Sequence, residues 1–270
     1  MKKTHGIRGS SKHILDWLGI GKSEFISSLN KLLLPSGATV SEADTWMPVG
    51  KGDPEAMKEA RLDQNTLNVL TPDQQKEVAN WWLAYTKGGL ANTPNWDFAS
   101  SCSIEGVKGL VLVEAKAHPK ELSHDGKFLK AKPSPESKEN DDKLGKAIDE
   151  ARTALQKDFP EVKISKDTHY QLSNRIAFSW KLASMGIPVV LIYLGFLKDD
   201  GLKDIDTPFS SDESLRSIME SYFGGIVPKN FLERRINCGK ASMQVLIRSM
   251  ECIQVSPSQA EVLKILKAAV

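Results

Sequence analysis

The most constraining feature of this sequence is an apolar run at residues 110–113 that ends in Glu114, with Lys116 two positions later. Consecutive aliphatic residues of this kind predict a strand buried on both faces near the middle of a sheet. Side chains alternate along a strand, so Glu114 and Lys116 share one face and Ala115 lies on the other. A buried strand that ends in charged groups needs partners or a ligand for them.

The segment before this strand predicts a β-hairpin. Residues 95–104 are separated from the strand by a short turn that contains Gly106. With Gly106 as the first central residue of a type II′ turn, Asp97 pairs with Lys116. Asp97 then lies on the same face as Glu114, one diagonal step away, which is close enough for two carboxylates to bind one divalent cation. A register shift of one residue would move Asp97 to the opposite face.

The composition of the chain indicates which broad class of protein it belongs to. The chain has 270 residues, 40% of them hydrophobic and 26% charged, which is typical of a globular protein with a substantial core. A net charge of +2 permits a nucleic-acid partner without requiring one. The three cysteines are widely spaced and lie in apolar surroundings, so we expect neither a disulfide framework nor a zinc cluster. No apolar segment approaches the length of a membrane span. Residues 1–3 resemble the start of a signal peptide, but no apolar core follows them. We therefore expect a cytoplasmic protein without membrane contact.

The chain divides into three predicted parts. Residues 1–70 are interpreted as a mostly helical N-terminal extension, 71–200 as an α/β core, and 201–270 as a C-terminal α/β extension packed on that core. The core contains a polar insertion at 119–146, which is interpreted either as a solvated tether or as a substrate-contacting loop.

Local patterns predict the elements of these parts. A capping box at Thr71 predicts a helix that ends at Gly88 and Gly89. Helical spacing predicts further helices at 23–34, 54–62, 141–159, 169–185 with a cap at Asp167 and Thr168, 212–223, and 256–269. Apolar runs predict strands at 187–196 and 243–247, and the first of these indicates a βαβ-type crossover onto the same sheet.

The residues at the strand end have a chemical interpretation. Asp97, Glu114 and the carbonyl of Ala115 supply hard oxygen ligands of the kind that Mg²⁺ binds. Such a metal lowers the pKa of a bound water, and the ammonium of Lys116 can orient that water and counter the charge of a phosphate. Glu-x-Lys also occurs at 136–138 and 161–163, in polar surroundings. The buried strand and the matching acid therefore distinguish this copy, and an ordinary cross-strand ion pair is the alternative.

With these residues, the sequence over 71–197 resembles the PD-(D/E)xK nuclease superfamily. The resemblance implies a restriction-endonuclease-like core, with a central mixed β-sheet flanked by helices, a Mg²⁺ cofactor and a DNA substrate. It implies that Asp97 and Glu114 bind the metal and that Lys116 assists the nucleophile. Trp96 stands where the family motif has its proline.

The same resemblance implies two further site residues. Glu77 corresponds to the acid that many members carry on the preceding helix, although a solvated helix glutamate is the alternative for this position. Gln171 resembles the glutamine that some branches place beside the site.

Three functions are compatible with the sequence. The first is a Mg²⁺-dependent DNA endonuclease of restriction or repair type, acting as a homodimer if it makes double-strand breaks. The second is a nucleic-acid-binding or regulatory protein that keeps the nuclease fold without cleavage. The third is a structural α/β protein whose strand-end charges form an ion pair. Lysines in 119–146, together with Arg234 and Arg235, are candidate phosphate contacts, with solvated surface as the alternative.

Overall fold

The structure is a computed structural model that describes residues 8–52, 54–64, 67–84, 93–202 and 207–253. Its helices are α1 (Gly9–Leu18), α2 (Lys22–Leu33), α3 (Pro72–Trp82), α4 (Pro135–Leu155), α5 (Tyr170–Ser184) and α6 (Asp212–Phe223). Its strands are β1 (Ala38–Thr39), β2 (Trp46–Met47), β3 (Ala60–Arg61), β4 (Asn95–Trp96), β5 (Phe98–Ile104), β6 (Val107–Lys116), β7 (Val189–Leu197), β8 (Arg235–Asn237) and β9 (Ser242–Glu251). The chain is therefore α/β, as predicted.

One mixed sheet organises the described chain. Its strand order is β1-β5-β6-β7-β9-β8, with β2 also paired to β5. β6 and β7 are parallel, as are β7 and β9, whereas β5 and β8 run antiparallel to their neighbours. Helices α4 and α5 connect β6 to β7, which confirms the predicted crossover. Strands from all three predicted parts of the chain belong to this sheet. No helix among the described ranges is long and apolar enough to span a bilayer.

Two apolar layers cover the central strands. On one face, β6 residues such as Leu110 and Leu112 pack with side chains of α3, α4, α5 and α6. On the other face, Val111 and Val113 pack with side chains of α1 and α2. Burial on both faces explains why β6 and β7 read as unbroken apolar runs. Glu114 continues the first of these faces.

Most of the predicted elements are confirmed. Helix α3 begins with a capping box in which Thr71 and Gln74 bond to each other's backbone amides. Helices α2, α5 and α6 and strands β6, β7 and β9 lie where the patterns predicted them. The predicted end of the first core helix at Gly88 and Gly89 is wrong, because α3 ends at Trp82 and Leu83 is already extended. The predicted helix at 256–269 lies outside the described residues.

Three further local predictions are wrong. Residues 54–62 form turns and strand β3, since the acids and turn residues there outweigh a weak helical pattern. The polar segment 119–146 is not all loop. Helix α4, which Ser134 caps, begins at Pro135, six residues before the predicted start at residue 141. Helix α5 has His169 in left-handed backbone at its N-cap position, without a side-chain cap from Asp167 or Thr168.

Glycine is required at position 109 because Pro188, the residue before β7, lies very close to β6 at this point. A Cβ atom at this position would lie 2.6 Å from the carbonyl oxygen of Pro188, which already accepts a hydrogen bond from the Leu110 amide at 2.9 Å. We therefore expect Gly109→Ala to lower the free energy of unfolding by about 1–3 kcal/mol. Urea denaturation measures this change.

Gly145 is the matched control for that substitution. It lies inside α4, where an added Cβ would meet only the Lys166 side chain at 3.5 Å. Gly145→Ala should raise the free energy of unfolding by roughly 0.5–1 kcal/mol because alanine restricts the unfolded chain and favours helix. Equal effects at the two positions would contradict the steric argument.

Candidate active site

The hairpin that carries Asp97 has a different turn from the one predicted. Glu105 and Gly106 have φ of 51° and 83°, so they are the two central residues of a type I′ turn. Ile104 pairs with Val107, and the register along β5 and β6 follows from that pair. The predicted type II′ register, with Asp97 opposite Lys116, is therefore wrong. The error is one residue on each strand, so the parity is unchanged.

Asp97 lies at a bend between β4 and β5, beside the end of β6. Its Oδ2 accepts a hydrogen bond from the Ala115 amide at 2.7 Å. The amide and carbonyl of one strand residue point to the same edge of the strand. The Ala115 carbonyl is thus directed toward the Asp97 side of β6, whereas the Leu110 amide points to β7.

Glu114 is buried and has basic partners on both of its oxygens. Lys116 Nζ lies 2.5 Å from Oε1, and Arg175 Nε donates to Oε2 at 2.6 Å. Lys116 Nζ also donates to Gln171 Oε1 at 3.1 Å. The structure therefore brings together Asp97, Glu114, Lys116 and Gln171, and the partners of Glu114 come from strand β6 itself and from α5.

Arg175 is the residue that sequence reasoning missed. Besides Glu114, its guanidinium donates to Asn174 Oδ1 at 3.0 Å and to the Asn95 carbonyl at 2.7 Å. It also stacks over the Trp96 ring at 4.6 Å from the centroid. Trp96, at the position where the family motif has proline, thus forms one wall for this arginine.

A signal for Arg175 was present in the sequence. Arg175 follows Gln171 by four positions, so both side chains lie on the same face of α5. Once Gln171 is assigned to the site, helical spacing assigns Arg175 to it as well. An arginine on a mostly buried helix also requires an acidic partner in the core.

The two carboxyl groups have opposite pKa shifts. Burial and the charge of Glu114 raise the pKa of Asp97 to about 7, against smaller opposing effects of Lys116 and the Ala115 amide. Burial alone would raise the pKa of Glu114, but Arg175 and Lys116 outweigh it and hold that pKa below its ordinary value. At neutral pH the site therefore contains an ionised Glu114 and an Asp97 close to its titration midpoint.

These groups line a polar cavity of about 550 Å³ that opens at the end of β6. Its wall includes further polar residues, notably Glu59, Glu121 and Asn174. Glu121 Oε2 accepts a hydrogen bond from the Ala117 amide at 2.5 Å, which fixes a third carboxylate beside the strand end. The cavity can admit an anionic ligand next to Lys116 or a cation next to Asp97.

Glu77, predicted as a further metal ligand, lies elsewhere. Its half-exposed side chain pairs with Lys181 at 2.9 Å. Lys181 is ten residues beyond Gln171 on α5, roughly 15 Å along the helix axis. The structure does not bring Glu77 to the cavity, and the alternative of a helix glutamate on the surface describes it better.

The C-terminal arginines are also distant from the cavity. Arg235 pairs with Glu105 at 2.5 Å, at the turn of the hairpin. Strand β6 separates that turn from Lys116 by a length of roughly 30 Å. Arg234 stacks over Phe159. Neither arginine lies at the end of the sheet that carries Glu114.

No family model, curated protein or solved structure with which we compared the chain matches it.

Proposed function

We propose that this protein is a Mg²⁺-dependent nuclease with a restriction-endonuclease-like core, which hydrolyses phosphodiester bonds of DNA. The observation that carries the proposal is the convergence of Asp97, Glu114 and Lys116 at one strand end, on a polar cavity. Two carboxylates with an adjacent amine meet the chemical needs of metal-assisted phosphodiester hydrolysis.

The order and pairing of the elements support this core. Helix α3 precedes the antiparallel β5–β6 hairpin, helices α4 and α5 follow, and β7 returns parallel to β6. That order matches the resemblance in the sequence. Asp97 lies just before the first hairpin strand, Glu114 lies near the end of the second, and Gln171 lies on the helix that leads to β7.

The residues present fit Mg²⁺. Burial and then repulsion by Glu114 raise the pKa of Asp97, and a cation beside the two carboxylates would relieve that repulsion. Asp97, Glu114 and the Ala115 carbonyl are hard oxygen donors of the type that Mg²⁺ prefers. When bound, the ion would lower the pKa of a coordinated water and neutralise charge on the scissile phosphate.

Lys116 and Gln171 form a second part of the site, in which Gln171 helps to position the Lys116 ammonium. Lys116 Nζ bonds to both Glu114 Oε1 and Gln171 Oε1, so two acceptors hold its ammonium at the cavity wall. An ammonium held there counters the negative charge that develops on a phosphate oxygen and can donate to the attacking water. Gln171 limits the directions in which the lysine can point.

The loop before α4 supplies a surface for DNA. It carries Lys127, Lys130 and Lys132, together with Phe128, whose side chain is 77% exposed. Lys127 stacks over the ring of Tyr170, the residue before Gln171, at 5.2 Å from its centroid. The loop therefore borders the N-terminal end of α5, close to the catalytic cavity. Lysines and an exposed aromatic ring suit contacts to phosphates and to a base.

One observation favours a second function, DNA binding without cleavage. Each oxygen of Glu114 already accepts from a basic group, Lys116 or Arg175. A carboxylate neutralised in this way serves a structural ion cluster as well as it serves a metal. Each carboxylate oxygen has a second lone pair for a cation, so cleavage experiments are needed to separate the two functions.

Plasmid cleavage tests the proposal directly. We expect the wild-type protein to cut circular DNA with Mg²⁺, to bind it without cutting when Ca²⁺ replaces Mg²⁺, and to be inactive with a chelator, because Ca²⁺ prefers more ligands at longer distances. Lys116→Ala should bind DNA and leave it intact, since the variant keeps both carboxylates and lacks the ammonium.

Lys108→Ala is the matched control, because Lys108 lies on the same strand but is exposed at its other end. This variant should cut like the wild type. Equal cleavage by the Lys116→Ala and wild-type preparations would contradict the proposal and indicate a contaminating nuclease. A wild type that binds DNA in Mg²⁺ but never cuts it would favour the second function.

A further inference from the structure

A second cluster of side chains that can ligate a metal lies apart from the residues that line the polar cavity at the end of β6. It consists of His13 on α1, Asp199 just after β7 and Cys252 just after β9. His13 and Asp199 are each 4% exposed, and Cys252 is half-buried. Their ligand atoms all lie within 4.8 Å of one another. Three segments distant in the sequence thus present a nitrogen, an oxygen and a sulfur to one point.

Both partners of His13 approach the same ring nitrogen. Nε2 lies 3.2 Å from Asp199 Oδ2 and 3.4 Å from Cys252 Sγ. A catalytic relay would need the carboxylate on one ring nitrogen and the thiol on the other. Here a single nitrogen faces both groups, and it cannot donate a proton to the carboxylate while accepting one from the thiol. The cluster is therefore not a cysteine nucleophile with its base.

Hydrogen bonding does not account for the buried carboxylate. Asp199 Oδ1 accepts from the Gly201 amide at 2.8 Å. Asp199 Oδ2 is close to His13 but makes no hydrogen bond within the described part of the chain, and the same holds for His13 Nδ1. A protonated His13 at 3.2 Å would pair with this oxygen, whereas a metal cation would satisfy the oxygen together with the nitrogen and the sulfur.

Two of the three separations between the ligand atoms approach those of a tetrahedral metal site. Zinc bonds of about 2.0–2.1 Å to nitrogen, 2.0–2.2 Å to oxygen and 2.3 Å to sulfur place tetrahedral neighbours about 3.3–3.6 Å apart. The N–O and N–S separations of 3.2 and 3.4 Å approach those edges. The set of thiolate, imidazole and carboxylate is also one that zinc binds, whereas Mg²⁺ avoids sulfur.

We propose that His13 Nε2, Asp199 Oδ2 and Cys252 Sγ form a zinc site, with water as the fourth ligand. The site links α1 to the ends of β7 and β9. The principal effect of a bound metal would therefore be to stabilise the packing of the N-terminal helix on the sheet. It is separate from the oxygen-lined nuclease cavity and takes a softer metal. Binding exchanges the thiol proton for the metal, and the proton passes to solvent.

Cobalt substitution tests this site. Protein stripped with chelator and titrated with Co²⁺ should bind one equivalent with a thiolate-to-cobalt charge-transfer band in the near ultraviolet. The band reports sulfur ligation, so Co²⁺ at the carboxylates of the nuclease cavity does not produce it. Zn²⁺ should displace the band stoichiometrically and raise the melting temperature of the wild type.

Two variants and a control complete the test. Cys252→Ser should lose the band and the melting-temperature response to Zn²⁺, and Asp199→Asn should weaken Zn²⁺ binding at least tenfold. Cys238→Ser, a change at another buried cysteine, should keep both responses. The absence of a sulfur band in the wild type, or an unchanged band in Cys252→Ser, would overturn the proposal.

Discussion

Replacing Arg175 by methionine is expected to destabilise the protein by about 3–5 kcal/mol, because it leaves Glu114 buried with a single basic partner. Arg175 is 8% exposed, and its guanidinium donates to Glu114, Asn174 and the Asn95 carbonyl. Methionine fills much of the volume beside Trp96 but supplies none of these hydrogen bonds. Chemical denaturation of the variant at pH 7 measures the change.

A double-mutant cycle separates the ion pair from the packing. Arg175→Met with Glu114→Gln should be clearly more stable than Arg175→Met alone, since the second change removes the unpaired charge. The exposed pair of Arg216 and Asp212 is the matched control, and Arg216→Met should cost less than about 1 kcal/mol. Additive effects at Arg175 and Glu114 would contradict the claim that the two groups are coupled.

The stability of the protein at low pH should also depend on the ion pair between Glu114 and Arg175. The pKa of Glu114 is lowered in the folded protein, so the stabilisation is present above the unfolded-state pKa and is lost as the pH falls through the folded-state pKa. In Arg175→Met, Glu114 should titrate at a higher pH than in the wild type.

Asp97→Asn is expected to stabilise the protein at pH 8 while abolishing Mg²⁺-dependent cleavage. Ionised Asp97 is destabilising because it is half-buried and close to the charge of Glu114, which together raise its pKa to about 7. Asparagine removes the charge and can still accept the hydrogen bond from the Ala115 amide. We expect the free energy of unfolding at pH 8 to rise by roughly 1–3 kcal/mol.

The size of this effect depends on pH. The folded-state pKa of Asp97 lies above its unfolded value of 3.8, so the folded wild type retains a proton that the unfolded chain has lost. The contribution of Asp97 to wild-type stability therefore falls as the pH rises from about 4 to 7 and then levels off. The gain from Asp97→Asn should accordingly be large at pH 8 and close to zero near pH 4.

Mg²⁺ titrations connect the stability of Asp97→Asn to function. Mg²⁺ should raise the melting temperature of the wild type, because a ligand that binds the folded state stabilises it. Asp97→Asn should lose this response together with cleavage. A variant that is less stable than the wild type at pH 8, or one that retains its response to Mg²⁺, would show that Asp97 is a structural acid.

The sequence alone determined the long strands β5, β6, β7 and β9, most helices and the membership of one face, but not the short strands β1, β2, β3 and β8. The unbroken apolar run of β6 requires cover on both sides, and strand alternation places Glu114 and Lys116 together whatever the rest of the fold. The parity of the hairpin placed Asp97 with them even though the predicted turn was wrong, because the error moved each strand by one residue. Gln171 came from the family resemblance.

Only the tertiary structure decided the partners of these residues. Arg175 reaches Glu114 because α5 packs on the sheet at one particular rotation, and Glu77 stays outside because α3 crosses α5 near its other end. His13, Asp199 and Cys252 meet although up to 239 positions separate them. Periodicity reports which side of its own element a residue occupies. Contacts between distant segments depend on how the elements pack, and no local pattern encodes that.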